Sequence, residues 1–191
     1  MDEEIENEIQ KALKILKSGG VILYPTDTVW GLGCDALNVR AINKVYRIKQ
    51  RPVSKSLIVL LDSFENLEKY VAQVPDIVED LIGNIEKPVT IIYDHARNLP
   101  KNLISSTGTV AIRVVKNEFC RQLIKELGRP LISSSANISG ETTPLVFSQI
   151  SKRIIDQVDY VVELSHDQFN QAKASTIIRI YASGAYEIIR D

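Results

Sequence analysis

The sequence has few residues of the kinds that mark metal sites and disulfide-stabilised folds. Only two cysteines and two histidines occur among its 191 residues. Cys34 and Cys120 are far apart and form no CxxC pair, so we expect neither a zinc site nor a disulfide framework. We interpret both as small, reduced core residues. His95 and His166 have no ligand partners at metal spacing, and we expect both at the surface.

Long hydrophobic runs and an excess of one charge are also missing. The longest uninterrupted aliphatic run, residues 57–61, is far too short to span a membrane. The N-terminus is acidic where a secretory signal would be basic and then apolar. The formal net charge of -1 provides no global cationic field for nucleic-acid binding. We therefore expect a cytoplasmic protein in which any RNA contact uses a local patch.

Common nucleotide-binding and hydrolase motifs are absent or incomplete. The sequence has no GxxxxGK[ST], which excludes a Walker-type phosphate loop. Residues 31–36 match GxGxxA, but they begin well after the preceding strand, and Lys55 stands about 20 residues on, where a Rossmann fold needs an acid. No GxSxG motif accompanies the serines. Any nucleotide must therefore be held by other groups.

Hydrophobic periodicity predicts helices that alternate with strands. Helical spacing predicts helices at 5–16, 41–48, 67–71, 77–83, 118–127 and 147–155. Short apolar runs predict strands at 21–24, 57–61, 90–93, 110–114, 131–133, 160–163, 176–180 and 186–189. We interpret residues 26–33, rich in hydroxyls and glycine, as a site-forming loop. The alternation predicts a single domain over residues 1–191, an α/β (mixed α+β) protein with helices packed on a mixed sheet.

A local run of positive charge lies in residues 40–55. It contains no acidic residue and six basic ones, namely Arg40, Lys44, Arg47, Lys49, Arg51 and Lys55. Cations near a helix C-terminus complement its dipole, which would account for Arg47 and Lys49 but not for Arg51 or Lys55. Because the residue before a proline is pushed to an extended conformation, we expect Lys49 and Arg51 to project from the same side. A polyphosphate site and a solvated basic face both remain open.

Two further stretches place polar side chains beside predicted strands. In residues 131–140 a strand runs into SSSANISG, where Ser135 and Asn137 are two apart and could face a crevice together. A polar turn with capping side chains is the alternative. Residues 105–109 precede the strand that carries Arg113. An arginine in an otherwise apolar strand is either a site residue or a sheet-edge or ion-paired arginine.

Four motifs, in their order and spacing, resemble the YrdC/TsaC family. They are PTDTVWGLG at 25–33, RIKQRP at 47–52, KSLIV at 55–59 and SANISG at 135–140. The resemblance covers nearly the whole chain and implies a YrdC/RibB-like fold, a twisted mixed sheet with helices on both faces and a concave ligand cleft. It also implies L-threonylcarbamoyladenylate synthesis, a nucleotidyltransferase reaction of L-threonine, bicarbonate and ATP that releases pyrophosphate and serves tRNA N6-threonylcarbamoyladenosine modification. The sequence matches the short, single-domain form.

The resemblance also implies roles for ten positions. For ATP they are Lys49, Arg51, Lys55, Thr109, Asn137 and Arg190; for threonine they are Thr28, Arg113, Ser135 and Ser175. Arg113 would pair with the threonine carboxylate, and Lys49 and Arg51 would be electrostatic catalysts rather than acids or bases. We expect no metal ligand in the protein, because Mg²⁺ would be held mainly through the nucleotide.

Some positions depart from the family pattern, and other functions remain open. Trp30 replaces a common tyrosine, Leu145 a hydroxyl residue, Arg179 a common acid, and residues 86–88 a Pro-Gly-Pro turn. A non-catalytic module that binds double-stranded RNA or tRNA through residues 40–55 is one alternative, and synthesis of another carbamoyl-adenylate is a second. The resemblance also implies downstream tRNA threonylcarbamoyl-transfer proteins as partners.

Overall fold

A computed structural model describes residues 2–164 and 174–191, so His166 lies outside the described residues. The α-helices of the described part are α1 (Glu3–Lys17), α2 (Val39–Ile48), α3 (Ile77–Asn84), α4 (Glu118–Leu127) and α5 (Lys152–Ile155). Short 3-10 helices cover Phe64–Lys69 and Phe147–Gln149. The strands are β1 (Ile22–Tyr24), β2 (Gly31–Gly33), β3 (Ile58–Leu61), β4 (Val89–Tyr93), β5 (Val110–Val114), β6 (Leu131–Ser135), β7 (Tyr160–Val161), β8 (Thr176–Ile180) and β9 (Tyr186–Arg190).

The strands of the described residues form one mixed sheet in the order β7-β1-β2-β6-β3-β5-β4-β8-β9. The pairs β1/β7, β3/β5 and β4/β8 are parallel, and the others are antiparallel. The prediction of a loop throughout residues 26–33 was wrong for its last three residues. Gly31–Gly33 is a strand because β1 and β6 lie on either side and pair with it.

The sheet separates two hydrophobic clusters, so neighbouring residues of one strand serve different layers. In β1, Leu23 belongs to the cluster beneath α2 and α3, whereas Ile22 and Tyr24 belong to the cluster beneath α1 and α4. This follows from the alternation of side chains along a strand. Helices therefore cover both faces of the sheet, which confirms the predicted α/β fold class.

One part of the α1/α4 face is left without a helical cover. Ile92, Ala111 and Ile177 lie on β4, β5 and β8, are only partly buried and belong to neither cluster. Ala111 lies directly opposite Ile58 and Ile92 in the register, so these side chains share a face. The uncovered face forms the floor of a cleft.

Several predicted boundaries moved because local caps override periodicity. The predicted helix at 147–155 is interrupted at Ile150, whose backbone is extended, and Ser151 then caps α5 by accepting from the Arg153 N–H. The predicted strand at 160–163 ends at Val161, and the predicted helix at 67–71 is a 3-10 helix that begins earlier. Helix α4 has the predicted bounds, with Asn117 at its N-cap and Gly128 in the left-handed region at its end.

The cysteine, surface and membrane predictions can be compared with the fold. Cys34 and Cys120 are free and buried, as predicted, and burial raises the pKa of both thiols. His95 is exposed, which confirms that prediction. In the described part of the chain, no helix combines the length and apolar character needed to cross a bilayer.

Candidate functional site

A cavity of about 340 Å³ lies over the uncovered face of the sheet. Six of the ten positions assigned by resemblance line it together, namely Thr28, Arg51, Arg113, Ser135, Ser175 and Arg190. They come from separate parts of the chain, and the sheet brings them to one place. Lys49, Lys55, Thr109 and Asn137 are not among the lining residues.

Arg113 is a buried cation in the wall of this cavity. Its side chain is 3% exposed, and its Nη2 atom lies 3.2 Å from Oδ1 of Asp27, whose side chain is 8% exposed. Nη1 donates to Oγ1 of Thr28 at 3.2 Å. The Nε–H has no hydrogen-bond partner among the described residues. The guanidinium is thus held at Nη1 by a hydrogen bond and at Nη2 by charge attraction, and its Nε–H remains without a partner among the described residues.

The hydroxyl of Thr28 belongs to a chain of hydrogen bonds with a fixed direction. Oγ1 of Thr26 donates to the carbonyl of Val29 at 2.7 Å. The 2.9 Å contact between the Thr26 and Thr28 hydroxyls must therefore use the proton of Thr28. Because that proton is committed, the Thr28 oxygen can offer a ligand only its remaining lone pair. It is suited to accept from an ammonium or a hydroxyl group.

Lys49 is buried in the turn that follows β6. Only 1% of the residue is exposed, and its ammonium donates to the carbonyl oxygens of Ser135 and Asn137. The Lys49 carbonyl in turn accepts from the N–H of Ser139 at 2.7 Å. Burial, and to a smaller degree the nearby charge of Arg51, lowers the pKa of Lys49 to about 8. Lys49 therefore joins the RIKQRP and SANISG motifs.

The prediction that Lys49 and Arg51 project together from an extended segment was wrong. Lys49 has helical backbone angles as the cap of α2, and Gln50 has a left-handed φ of 49°. After the tight turn at Gln50, Arg51 lines the cavity and Lys49 does not. Arg51 donates to the carbonyls of Lys55 at 2.8 Å and Ser56 at 3.0 Å. Burial lowers its pKa.

Asn137 and Thr109 occupy ordered polar turns outside the cavity wall. The Asn137 amide donates to the carbonyls of Ile138 and Glu141 at 3.0 and 2.8 Å. Its buried Oδ1 has no hydrogen-bond partner among the described residues. Oγ1 of Thr109 lies 2.7 Å from the hydroxyl of Ser105. The Asn137 oxygen is therefore the free acceptor of the SANISG turn.

Ser175 and Arg190 are coupled at the far side of the cavity. Arg190, at the end of β9, donates through Nε and Nη2 to the Ser175 carbonyl at 3.2 and 2.8 Å. The Ser175 hydroxyl lies 2.8 Å from that of Thr90, which is fully buried on β4. β9 thus adds a cation to the site by pairing with β8.

The sequence interpretation missed two residues that the fold places in or behind the wall. Asp27 lies within the PTDTVWGLG motif, and an acid between two threonines was a usable signal. Thr90 also lines the cavity, but within its strand it resembles any β-branched residue. Only the parallel pairing of β4 with β8, which sets Val89 against Thr176, brings it close to Ser175.

The basic stretch 40–55 divides between two surfaces. An open groove of about 890 Å³ runs along α2 and includes Arg40, Arg47 and Gln50. Arg51 lines both this groove and the cavity. Lys44 belongs to neither, since it pairs with Asp159 at 2.6 Å.

The structure shows the environment of three residues that depart from the family pattern. Trp30 packs against Phe147 with ring centroids 5.0 Å apart. Arg179 pairs with Asp94 at 2.5 Å. Leu145 is exposed.

Comparisons with known proteins agree in sequence and in structure. A family model named Sua5/YciO/YrdC, described as telomere recombination, matches residues 14–191. The threonylcarbamoyl-AMP synthase of Pseudoalteromonas translucida is 38% identical over 161 residues, which are 83% of this chain and 86% of that protein.

Two solved structures share the fold. The crystal structure of P. abyssi Sua5 complexed with L-threonine has a TM-score of 0.84 and 27% identity over 94% of this chain; the match spans about half, 52%, of the Sua5 chain. The crystal structure of E. coli YciO has a TM-score of 0.83 and 25% identity over 97% of this chain and 89% of that one. The chain belongs to the Sua5/YciO/YrdC family.

Proposed function

We propose that this protein is a threonylcarbamoyl-AMP synthase, a nucleotidyltransferase that converts L-threonine, bicarbonate and ATP to threonylcarbamoyl-AMP and pyrophosphate. One observation carries the proposal: the described residues that line the cavity include three arginines and no carboxylate. Arg113 is buried and Arg51 is half-buried, and cations in a wall that carries no carboxylate of its own favour anionic ligands. The carboxylate of threonine and the phosphates of ATP are anionic groups of this kind. The curated relatives bear the name of this activity, which favours it over a non-catalytic RNA-binding module.

The threonine subsite is assigned to Thr28, Arg113, Ser135 and Ser175. Arg113 has an unpartnered Nε–H for the carboxylate, and Thr28 has an acceptor for the ammonium or the hydroxyl. The hydroxyls of Ser135 and Ser175 complete the polar wall. A site with such paired donors and acceptors discriminates strongly against analogues that leave them unpaired.

The ATP subsite is assigned to Lys49, Arg51, Lys55, Thr109, Asn137 and Arg190. Arg51 and Arg190 line the cavity and can contact phosphates directly. The buried Lys49 and the exposed Lys55 flank Arg51 in the sequence and add positive charge beside it, and the backbone carbonyl of Lys55 accepts from Nε of Arg51. Thr109 and the free Oδ1 of Asn137 would contact the nucleoside.

The reaction needs no covalent intermediate with the protein. The threonine amine takes up carbon dioxide derived from bicarbonate and loses a proton to form a carbamate. A carbamate oxygen then attacks the α-phosphorus, and the bond to the β-phosphate oxygen breaks to release pyrophosphate. Lys49 and Arg51 stabilise charge on the reacting phosphorus and the leaving group, and the cavity holds the reactants in line.

The donor set fits a magnesium ion that is held by the nucleotide. No carboxylate lines the cavity among the described residues, and those residues contain no cluster of three or more metal-ligating side chains. Mg²⁺ prefers phosphate oxygens and water when protein carboxylates are few. When bound, it would neutralise charge on the departing pyrophosphate.

Pyrophosphate release by the purified chain tests the function. We expect release that requires ATP, bicarbonate and L-threonine together, with little release when serine replaces threonine. Lys49→Ala and Arg51→Ala should each lower the rate more than tenfold while the fold survives. Arg153→Ala, an exposed arginine on α5, is the matched control and should be unaffected. Full turnover by both site variants would refute the residue assignment, and release without threonine would refute the function.

The groove along α2 is the surface best suited to a tRNA contact by this cytoplasmic enzyme. It carries Arg40 and Arg47, which have no ion pair with any described residue, and it adjoins the cavity at Arg51. Phosphate contacts of this kind weaken steeply with salt. Arg40→Ala and Arg47→Ala should reduce tRNA binding and its salt dependence while threonine-dependent release continues. The labile product then passes to downstream tRNA threonylcarbamoyl-transfer proteins.

A further inference from the structure

Asp27 and Arg113 form a buried pair at the back of the cavity wall. Oδ1 of Asp27 lies 3.2 Å from Nη2 of Arg113, and both side chains are less than a tenth exposed. The other carboxylate oxygen accepts a long hydrogen bond of 3.4 Å from the N–H of Lys116. Arg113 lines the cavity, whereas Asp27 is not among its lining residues.

The pair is close enough for charge attraction, but its hydrogen bonding is incomplete. Oδ1 of Asp27 and Nε of Arg113 are both buried and lack hydrogen-bond partners among the described residues. Arginine and carboxylate groups usually satisfy each other through two parallel hydrogen bonds. Here Asp27 therefore neutralises and orients the guanidinium without occupying both of its hydrogen-bonding edges.

The neighbouring residue reinforces this orientation. Thr28 accepts from Nη1 of Arg113, and its own hydroxyl is fixed by Thr26. Two consecutive residues thus hold two nitrogens of one guanidinium, and Nε remains available. No acidic residue lines the cavity among the described residues. Asp27, behind the cavity wall, is the carboxylate at ion-pair distance from Arg113 in the described part of the chain.

We propose that Asp27 is a positioning residue for the amino-acid substrate. It holds Arg113 so that the free N–H edge receives the substrate carboxylate, and it offsets the charge of Arg113 while the site is empty. The inference rests on the proposed function, because it assumes an α-amino acid in this part of the cavity. Asp27 itself need not touch the substrate.

The test compares the kinetics of Asp27→Ala and Asp27→Asn with those of the wild type. We expect Asp27→Ala to raise the KM for L-threonine at least tenfold, while the KM for ATP changes less than twofold. Asp27→Asn keeps the shape and an acceptor oxygen but loses the charge, so it should raise the threonine KM at least threefold but less than Asp27→Ala. Asp94→Asn is the matched control, because Asp94 also pairs with an arginine, Arg179, away from the cavity, and it should leave both KM values unchanged.

A coupling experiment separates positioning from a general structural role. In an Arg113→Met background, Asp27→Ala should cause no further rise in the threonine KM, since its effect passes through Arg113. Circular dichroism and thermal unfolding check the fold, and Asp27→Asn serves if Asp27→Ala does not fold.

Each outcome decides the proposal. An unchanged threonine KM in either folded Asp27 variant overturns it, as does an equal rise for ATP and threonine or an additive effect in the Arg113→Met background. In those cases the proposed function stands if wild-type release depends on threonine. Wild-type release that ignores threonine would overturn both.

Discussion

The ammonium of Lys49 donates a 2.9 Å hydrogen bond to the carbonyl oxygen of Asn137, 88 residues further along the chain. The same ammonium donates to the carbonyl of Ser135. Lys49, which the family resemblance assigns to the triphosphate, therefore also fixes the conformation of the turn after β6 through these two hydrogen bonds. Two of its three donors are used inside the protein.

Replacement of Lys49 by methionine should lower stability as well as activity. Methionine fills a similar volume, but the carbonyls of Ser135 and Asn137 lose their donor. An unsatisfied buried polar group costs about 1–3 kcal/mol, so we expect a loss of that order in the free energy of unfolding in urea. The matched control is Lys55→Met, because the Lys55 side chain is exposed and should contribute little. Equal free energies of unfolding for the wild type and Lys49→Met would show that the hydrogen bonds of Lys49 to the turn after β6 do not stabilise the fold.

The pH dependence of activity should show the lowered pKa of Lys49. Because that pKa is about 8 in the free protein, Lys49 loses its charge as the pH rises through this value. The kcat/KM for ATP reports groups of the free enzyme, so it should fall above about pH 8. Lys49→Arg should move the fall to higher pH, since arginine keeps its proton. A wild-type profile identical to that of Lys49→Arg would contradict the assignment.

A buried carboxylate on α1 should make the protein sensitive to acid. Glu8 accepts from the hydroxyl of Tyr160 at 2.6 Å, the N–H of Glu163 at 2.8 Å and the ammonium of Lys11 at 2.8 Å. Burial alone would raise the pKa of Glu8, but these hydrogen bonds outweigh it and the pKa is lowered from 4.5. A carboxylate with a lowered folded pKa stabilises the fold above its unfolded pKa, and this contribution is lost as the pH falls.

The free energy of unfolding of Glu8→Gln tests this contribution. At pH 7 we expect the variant to be about 1–3 kcal/mol less stable than the wild type. The difference should shrink as the pH falls from about 4.5, the ordinary pKa that Glu8 has in the unfolded chain, through the lower pKa that it has in the folded protein. A difference that stays constant from pH 7 to pH 3 would argue against the carboxylate as its cause.

The glycines of β2 should resist substitution because side chains crowd them. A Cβ atom on Gly33 would lie 2.5 Å from Cε1 of Tyr24 and 2.9 Å from the carbonyl of Ile132. Overpacking of this kind costs about 1–3 kcal/mol, so Gly33→Ala should lower the melting temperature. Gly83→Ala is the control, because a Cβ there meets nothing within 4 Å in helix α3 and should stabilise the protein by about 0.5–1 kcal/mol.

The sequence predicted most of the fold because hydrophobic periodicity and capping act locally. The strands β5 and β8 and helix α4 have the predicted bounds, since each is a short periodic run between clear breakers. β2 was not predicted, because a Gly-Leu-Gly segment has low strand propensity and becomes a strand only through its neighbours β1 and β6.

The candidate site divides in the same way. The sequence singled out Arg51 by the basic run, Ser135 by its spacing and Arg113 as a cation in an apolar strand, and these lie together around one cavity. Thr28, which the family resemblance added, lines the same cavity. Spacing alone gave the wrong direction for the Lys49 side chain. The prediction used the extended preference of the residue before Pro52, and that preference says nothing about the left-handed turn at Gln50. Spacing also missed Asp27, whose partner Arg113 is 86 positions away in the sequence.

The sequence by itself determined most of the element types, the four motifs and the family, since these depend on residue identity and short-range spacing. Only the tertiary structure decided that Lys49 serves the turn after β6, that Asp27 lies against Arg113 and that β9 brings Arg190 beside Ser175. Each of these contacts depends on strand order and register, which pair residues far apart in the chain. Local propensity carries no information about such pairings until the whole sheet has formed.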